Sequence, residues 1–412
     1  MTALADAYSE DLVAVRDGVD AFVRAEVIDR IDGHAALFDE AHRQYKEDGR
    51  FHPDVLQLMK EVRLAASRAG YYNMCVPESL GGAGMGYLAW FAAWEQIFKT
   101  CGGKYFVLGE MVLAHWATGP SEVLARLTPE ARESMLPGLM SGEHTMCFGM
   151  SEPGAGSDAM MMKTRAVADG DGWRISGNKI WTTNSPYADY CIVFAVTKPE
   201  VPGQRKAGIS AFLVPTTSPG FTVQKVIRMW GHAGGNEALL ALDDVRVEKS
   251  QLVGELDKGF AIAMMGVNLG RLYNAARAVG LGRWSLEMAF DYAKIRHAFG
   301  KPISEYQGVT FPLVDSAAEV HAAHLMAVNV GKLLDSGQPA RKELSMTKLY
   351  AMQVGARAVD RAMQAHGAMG FTNEMHLAQA YLLLRILNIA DGTNEILRRT
   401  IAKEMLGGDV DL

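Results

Sequence analysis

The feature that most constrains this chain is a change of hydrophobic period, from helical to strand-like and back again, along its 412 residues. From residue 1 to about 143, apolar positions fall three and four apart in Tyr8–Arg30, Pro53–Ala69, Tyr87–Thr100, Tyr105–Ala117 and Pro120–Leu127. That spacing predicts helices. Pro77-Glu78-Ser79-Leu80-Gly81-Gly82-Ala83-Gly84 and Ser141-Gly142-Glu143 break them. From about 144 to 253 the helical period is absent. Thr164–Ala168 and Trp173–Ile175 flank Asp169-Gly170-Asp171-Gly172, a hairpin signal because Asp-Gly tolerates the positive φ of tight turns. Tyr190–Val196, Ile209–Pro215 and Leu239–Val247 read as further strands, rich in β-branched and aromatic residues. After Lys258 long helices return over Gly259–Phe299, Ser304–Leu334, Arg341–Met369 and Met375–Met405, the last interrupted near Asp391-Gly392. Val314, Ala318, His321, Leu325 and Val328 share one stripe, which predicts the inward face of a bundle helix. The expected organisation is a multidomain α+β chain: helical 1–143, a β domain over 144–253, and helical 254–412.

Composition narrows the function. A net charge of −6 with no basic run gives no attraction to nucleic acid. The segment Met1–Asp20 is acidic and lacks the pattern of a secretory signal, and no stretch of about 20 apolar residues predicts a membrane span. Cys75, Cys101, Cys147 and Cys191 are far apart in sequence and show no CxxC pairing. Reduced thiols in a cytoplasmic protein are the expectation. No metal site is expected either: His321 and His324 lie near one helix face beside Glu319, without a third well-placed ligand. The run Gly81-Gly82-Ala83-Gly84-Met85-Gly86 lacks the preceding strand that a dinucleotide loop needs, and reads as a surface turn.

Met150–Asp158 is more informative. Small residues between Pro153 and Asp158 let the backbone approach a ligand closely, and Ser151 and Ser157 add hydroxyls. A glycine-rich loop of a β domain would look the same. Ile180-Trp181-Thr182-Thr183-Asn184 closes a strand-like run; its indole beside hydroxyls suits an aromatic ring with polar edges, or else a core position.

Met-Ser-Glu-Pro-Gly-Ala-Gly-Ser-Asp followed by Trp-Thr-Thr-Asn resembles the flavin-binding signature of acyl-CoA dehydrogenases. The likeness continues in the family's order through Val76–Gly82, Leu242–Val247, Arg296-His297-Ala298-Phe299-Gly300-Lys301-Pro302-Ile303, and Gln364–Phe371, where Ala368 replaces a usual Gly. The resemblance implies the fold of that family: an N-terminal helical domain, a barrel- or sandwich-like middle β domain and a C-terminal four-helix bundle. It implies FAD as cofactor, an acyl-CoA substrate, an electron-transfer flavoprotein as partner, and a homo-oligomer, a tetramer in the family.

It also implies roles for particular residues. Phe148, Met150 and Ser151 would line the isoalloxazine, Trp181 and Thr182 would adjoin it, and the Thr183 hydroxyl would approach its N5. Ser157 would sit near the CoA arm. Arg296, Phe299, Gln307 and the turn Gln364-Ala365-His366-Gly367-Ala368 would contact the FAD of a neighbouring subunit, a guanidinium and a small-residue turn being apt for a pyrophosphate. Thr393 and Glu395, where the family often has Gln, would lie near the adenosine half. Arg271 and Gly392 would adjoin the substrate.

In Ile389-Ala390-Asp391-Gly392-Thr393, the family's usual glutamate base is replaced by Asp391, in register counting from Glu374. The family's second location for the base holds Gly270, before Arg271. Asp391 is thus the one carboxylate the resemblance offers for taking the α-proton of a thioester. Aspartate is shorter than glutamate by about 1.5 Å. The usual Arg-Asp pair after Glu374 is Leu382-Leu383; the pattern is similar to a subgroup linked to unusual acyl-CoAs, including 4-hydroxyacyl ones. Tyr273 and Asn274 either face the acyl pocket or pack within their helix. Acyl-CoA α,β-dehydrogenation is the leading function. A nitroalkane-oxidase-type flavin oxidase, which also places Asp at the base position, and a non-catalytic acyl-CoA-binding flavoprotein are the alternatives.

Overall fold

A computed structural model describes residues 8–198, 208–232 and 236–411. By internal contact the chain divides into two compact units, one of Tyr45–Gly84 with Leu113–Val267, the other of the residues up to Gln44, Met85–Val112 and Asn268 onward.

The first unit is built on an eight-stranded sheet. Its order is β6 (Phe221–Val226), β7 (Ala238–Val247), β3 (Gly172–Thr182), β2 (Arg165–Asp169), β4 (Tyr190–Lys198), β5 (Gly208–Pro215) and β8 (Leu252–Val253), with β1 (Met146–Gly149) parallel to β4. The Asp-Gly hairpin forms as expected: Asp169 pairs with Gly172 and Gly170 takes φ +62. Cys191–Ala195 in β4 and Gly208–Val214 in β5 are buried without alternation, as strands covered on both faces must be. Besides the two-residue β8, the sequence reading lacks β1 and β6. The former is four residues with no alternation to detect, and the latter carries Gln224 and Lys225 outward. Cys147 and Cys191, distant in sequence, are register partners across β1 and β4, both buried as free thiols. Helices Pro53–Arg68 and Pro129–Ser141 belong to the same unit, the latter capped by the Thr128 hydroxyl.

The second unit is helical. Its long helices are Glu10–Val23, Gly86–Gly109, Gln307–Asp335, Arg341–His366, Leu377–Leu387 and Asn394–Leu406, with the part of Gly259–Ile295 that follows Val267. The Gly86–Gly109 helix is interrupted at Gly102 (φ +54, ψ −150), where an added Cβ would lie 2.3 Å from the Trp284 ring; only glycine meets both demands. At its N-terminus the orphan N–H groups of Tyr87 and Leu88 donate to Asp335, at 2.6 and 3.1 Å.

Three expectations need correction. Tyr105–Ala117 is not one helix: the helix ends at Gly109 and turns follow. Val112, Leu113, Ala114 and Trp116 are all buried in those turns, so burial imitated a helical period. Pro120–Leu127 supplies only a 3₁₀ segment, Glu122–Arg126. The stripe on Gln307–Asp335 is mostly the outward one: Val314, Ala318, His321 and Leu325 are exposed, as is Phe311, and only Val328 of the five is buried, while Leu313, Val320, Ala323 and Ala327 face inward. His324 also points inward, its Nδ1 2.9 Å from Glu95 in a buried cluster that Tyr8 and Arg283 complete. Among the described residues no helix is long and apolar enough to cross a membrane.

Candidate functional site

In the sheet unit, the loop Ser151–Asp158 is folded by backbone and by charge. Glu152 and Ala155 exchange N–H···O bonds of 3.0 Å. The Glu152 carboxylate accepts from Lys163 N (2.6 Å), Thr164 N (2.9 Å) and Lys179 Nζ (2.8 Å). Lys179, fully buried in β3, also donates to the Met150 carbonyl at 3.2 Å, and Ile180 N donates to Ser151 O at 2.9 Å. The glycine loop and the Trp181-Thr182-Thr183 segment are therefore stitched into one surface. Burial pushes the Glu152 carboxyl up, but Lys179 and the donors around it bring it below its ordinary value. Burial dominates at Lys179 and lowers it despite Glu152. Sequence reasoning missed this pair; the available signal was a lysine on the inward phase of β3.

On that surface, Gly154, Gly156 and Ser157 are exposed, and a Cβ added at either glycine would meet nothing within 4 Å. Nothing among the described residues demands glycine at these two places. Trp181 is held at φ +60 with 53% of its surface exposed, a strained placement for a large aromatic. Phe148 is half-buried, 4.7 Å from both Trp116 and Phe194 between ring centroids. Met150 and Ser151 are half-buried; Thr182 is fully buried, its hydroxyl without a partner; the Thr183 hydroxyl lies 3.5 Å from Glu237.

In the helical unit, the Leu377–Leu387 and Asn394–Leu406 helices are joined by a loop closed on itself by Asn394, which donates to Asn388 through both backbone and side chain. Asp391 (φ +53) and Gly392 (φ +97) are both left-handed. The fully buried Lys348 donates to the carbonyls on either side of the aspartate, Ala390 O and Gly392 O. Arg271 Nε reaches the Asp391 carbonyl at 3.3 Å, and Asn274 Nδ2 donates to Asp391 Oδ2 at 2.9 Å. Burial raises the Asp391 carboxyl above its ordinary value, against the pull of Lys348, the Asn274 hydrogen bond, Arg277 and Arg271. The backbone N–H groups of Asp391 and Gly392 make no hydrogen bond among the described residues. Thr393 caps the Asn394–Leu406 helix, accepting from Ile396 N at 3.3 Å, and Glu395 is exposed. Tyr273 packs 4.6 Å from Trp94 beneath Arg277, so it belongs to the core. Asn274 does not merely pack; it touches the aspartate.

The same unit carries a small hairpin, His297–Ala298 against Lys301–Pro302, turned by Phe299 (φ +51) and Gly300 (φ +87). Phe299 is 97% exposed, and the Arg296 guanidinium has no ion pair or hydrogen bond among the described residues. Tyr292 stacks on His366 at 4.4 Å, which brings this region beside the turn that follows Arg341–His366. There Gln364, Gly367, Ala368 and Phe371 are exposed and Ala365 is half-buried; Gln307 is exposed too.

The family descriptions that match are the acyl-CoA dehydrogenase N-terminal domain over residues 9–143, the middle domain over 147–245 and the C-terminal domain over 257–406. The mitochondrial short-chain specific acyl-CoA dehydrogenase of Bos taurus is 37% identical over 370 residues, 88% of each chain. The caffeyl-CoA reductase-Etf complex subunit CarC of Acetobacterium woodii is 32% identical over 90% of this chain and 94% of its own. The crystal structure of a glutaryl-CoA dehydrogenase from Mycobacterium smegmatis superposes with a TM-score of 0.83 at 27% identity, covering 97% of this chain and 95% of the other.

Proposed function

The chain belongs to the acyl-CoA dehydrogenase family of oxidoreductases, whose members are FAD flavoproteins, and on that premise we propose that it oxidises an acyl-CoA thioester to the 2-enoyl-CoA in the cytoplasm, with Asp391 as α-proton acceptor. The observation that carries this reading is the state of Asp391. Its carboxyl is raised by burial and held by an amide, and among the described residues it has no ion pair and the two backbone N–H groups that flank it have no acceptor. Asp391 is half-buried as a residue, and a carboxylate shielded from water and without an ion pair is a stronger base than one in solution. The α C–H bond breaks, its proton passes to Asp391, and the hydride leaves from the β carbon. The thioester oxygen gains negative charge as this happens, and the Asp391 N–H is a fitting donor to it.

The residues present fit FAD. The Ser151–Asp158 loop and exposed Trp181 offer a close-approach backbone and a flat apolar cover; unpaired Arg296 and the exposed turn at Gly367 suit a pyrophosphate. Bound FAD supplies the hydride acceptor and a two-electron store that an electron-transfer flavoprotein empties. The exposed stripe Phe311, Val314 and Leu325, with Phe299 and Phe371, supports a homo-oligomer, a tetramer as in the family.

Anaerobic mixing with a panel of acyl-CoAs and nitroalkanes tests the reaction by bleaching of the flavin absorbance. Bleaching by acyl-CoAs is the expected result. Bleaching by a nitroalkane and by no thioester would make the protein an oxidase, and bleaching by neither would make it a binding protein.

A further inference from the structure

We infer that Asn274 and Lys348 are positioning residues for the base, locking the short Asp391 side chain so that Oδ1 is the oxygen that receives the α-proton. This rests on the reading of Asp391 as that base and deepens it.

An aspartate has one C–C bond less than a glutamate with which to find its substrate, about 1.5 Å, so its backbone must hold it in place. Asp391 is at φ +53, a conformation that is costly for a non-glycine residue. Something must oppose that cost, and Lys348 is placed to do so. Its ammonium donates to Ala390 O and Gly392 O, straddling the aspartate from the Arg341–His366 helix. Burial presses Lys348 down to about 8, opposed by Asp391 and assisted by Arg271. A lysine fully withdrawn from water to hold two neutral carbonyls is expensive as a packing element. It is explicable as a clamp.

Asn274 acts on the carboxylate itself. It occupies Oδ2 at 2.9 Å, whereas Oδ1 makes no hydrogen bond among the described residues. Asn274 is almost fully buried, and its own Oδ1 is unpartnered. An orphaned buried carbonyl is destabilising, so leucine would serve stability better here. The amide also has the right strength. A neutral donor orients the carboxylate and favours its charged form mildly, where a bidentate cation would quench its basicity. The charged groups that bear on Asp391 are Lys348 from the Arg341–His366 helix and Arg271 and Arg277 from the Gly259–Ile295 helix; none forms an ion pair with it.

The test compares the flavin-loaded wild type with Asn274→Leu, Lys348→Met and Asp391→Asn. Two readouts are taken against pH: the rate of anaerobic flavin reduction by an acyl-CoA, and the infrared carboxyl band that Asp391→Asn abolishes. Removing a donor worth about 1–1.5 kcal/mol to the charged form should move the band and the acid limb of the rate upward by about one pH unit in Asn274→Leu. Lys348→Met should shift both in the same direction and stay slower even at high pH, because the loop is loosened. If both variants titrate as wild type while Asp391→Asn is inert, the positioning role is wrong and the base assignment stands. If Asp391→Asn reduces its flavin normally, the base assignment itself falls. Should Lys348→Met fail to fold, Asn274→Leu decides alone.

Discussion

Among the described residues Lys179, Lys342 and Lys348 are fully buried, and the first and last of them are used in different ways. Lys179, in the sheet unit, meets the Glu152 carboxylate at 2.8 Å and so ends in an ion pair. Lys348, in the helical unit, ends on two backbone carbonyls beside a carboxylate it leaves unpaired. The first arrangement neutralises both charges and yields a fixed surface, the loop that carries Ser151 and the strand that carries Trp181. The second spends its cation on backbone shape and keeps the aspartate basic. Buried charge builds a platform in one place and preserves a reactive group in the other.

The sharpest way to break this contrast is Asp391→Asn. If the carboxylate is reactive and not structural, the rate of flavin reduction by substrate should fall by about 10²–10⁴, the usual worth of a general base. The denaturation midpoint should meanwhile hold or rise, because burial disfavours the charged carboxylate more than Lys348, Asn274, Arg277 and Arg271 favour it. A large loss of stability with little loss of rate would place Asp391 in the same class as Glu152.

Lys179→Met is next in size. Breaking a buried pair by removing one partner strands the other, at a cost of about 3–5 kcal/mol. Lys348→Met strands two neutral carbonyls and removes a cation that bears on Asp391 without pairing with it, so a smaller loss, about 1–2 kcal/mol, is expected from urea unfolding of the flavin-loaded proteins. Equal losses would erase the distinction. Adding Glu152→Gln to Lys179→Met should restore part of the stability, since no unpaired charge then remains.

Acid sharpens the comparison further, because the two carboxyls are displaced in opposite directions. Glu152 is lowered from 4.5 in the folded state, so its contribution is present above 4.5 and is lost as pH falls through the folded value. Asp391 is raised from 3.8, so its contribution is full below 3.8 and is lost as pH rises through the folded value. A carboxyl whose titration moves by one pH unit on folding changes stability by about 1.4 kcal/mol. Unfolding free energies measured from pH 3 to 7 should show Glu152→Gln losing the acid-side decline of the wild type, and Asp391→Asn gaining on the wild type as pH rises. Differences of the same sign in both variants would contradict the pairing described for each.

How much of this was legible in the sequence follows from what each feature depends on. The α–β–α order was readable because period is local, and the Asp-Gly hairpin because its turn chemistry sits in four residues. The region after Gly109 misled, since residues buried on every side of a turn imitate a helix. The stripe through Val314 and Leu325 showed that a face of the helix is apolar, but not which way it looks; in this chain it looks outward. Asp391 could be picked out by its neighbours in sequence. Asn274 and Lys348 could not, being 117 and 43 residues from it and joined to its loop only by tertiary folding. Glu152 and Lys179 were likewise separate letters until the sheet brought them together.

The smallest expected effect bears on what holds the Asp391 loop. Thr393 caps the following helix with its hydroxyl, and Asn388 ties the loop's base to Asn394. If Lys348 sets the conformation at Asp391, the cap governs only the helix end. Thr393→Ala should then cost about 1 kcal/mol, as a lost N-cap does, and Thr393→Ser almost nothing. Neither should move the pH at which the Asp391 carboxyl titrates, because Ala390 O and Gly392 O remain on the lysine. A titration change in Thr393→Ala as large as that of Lys348→Met would mean that the loop is held from the helix cap, and the contrast between the two buried lysines would lose its functional half.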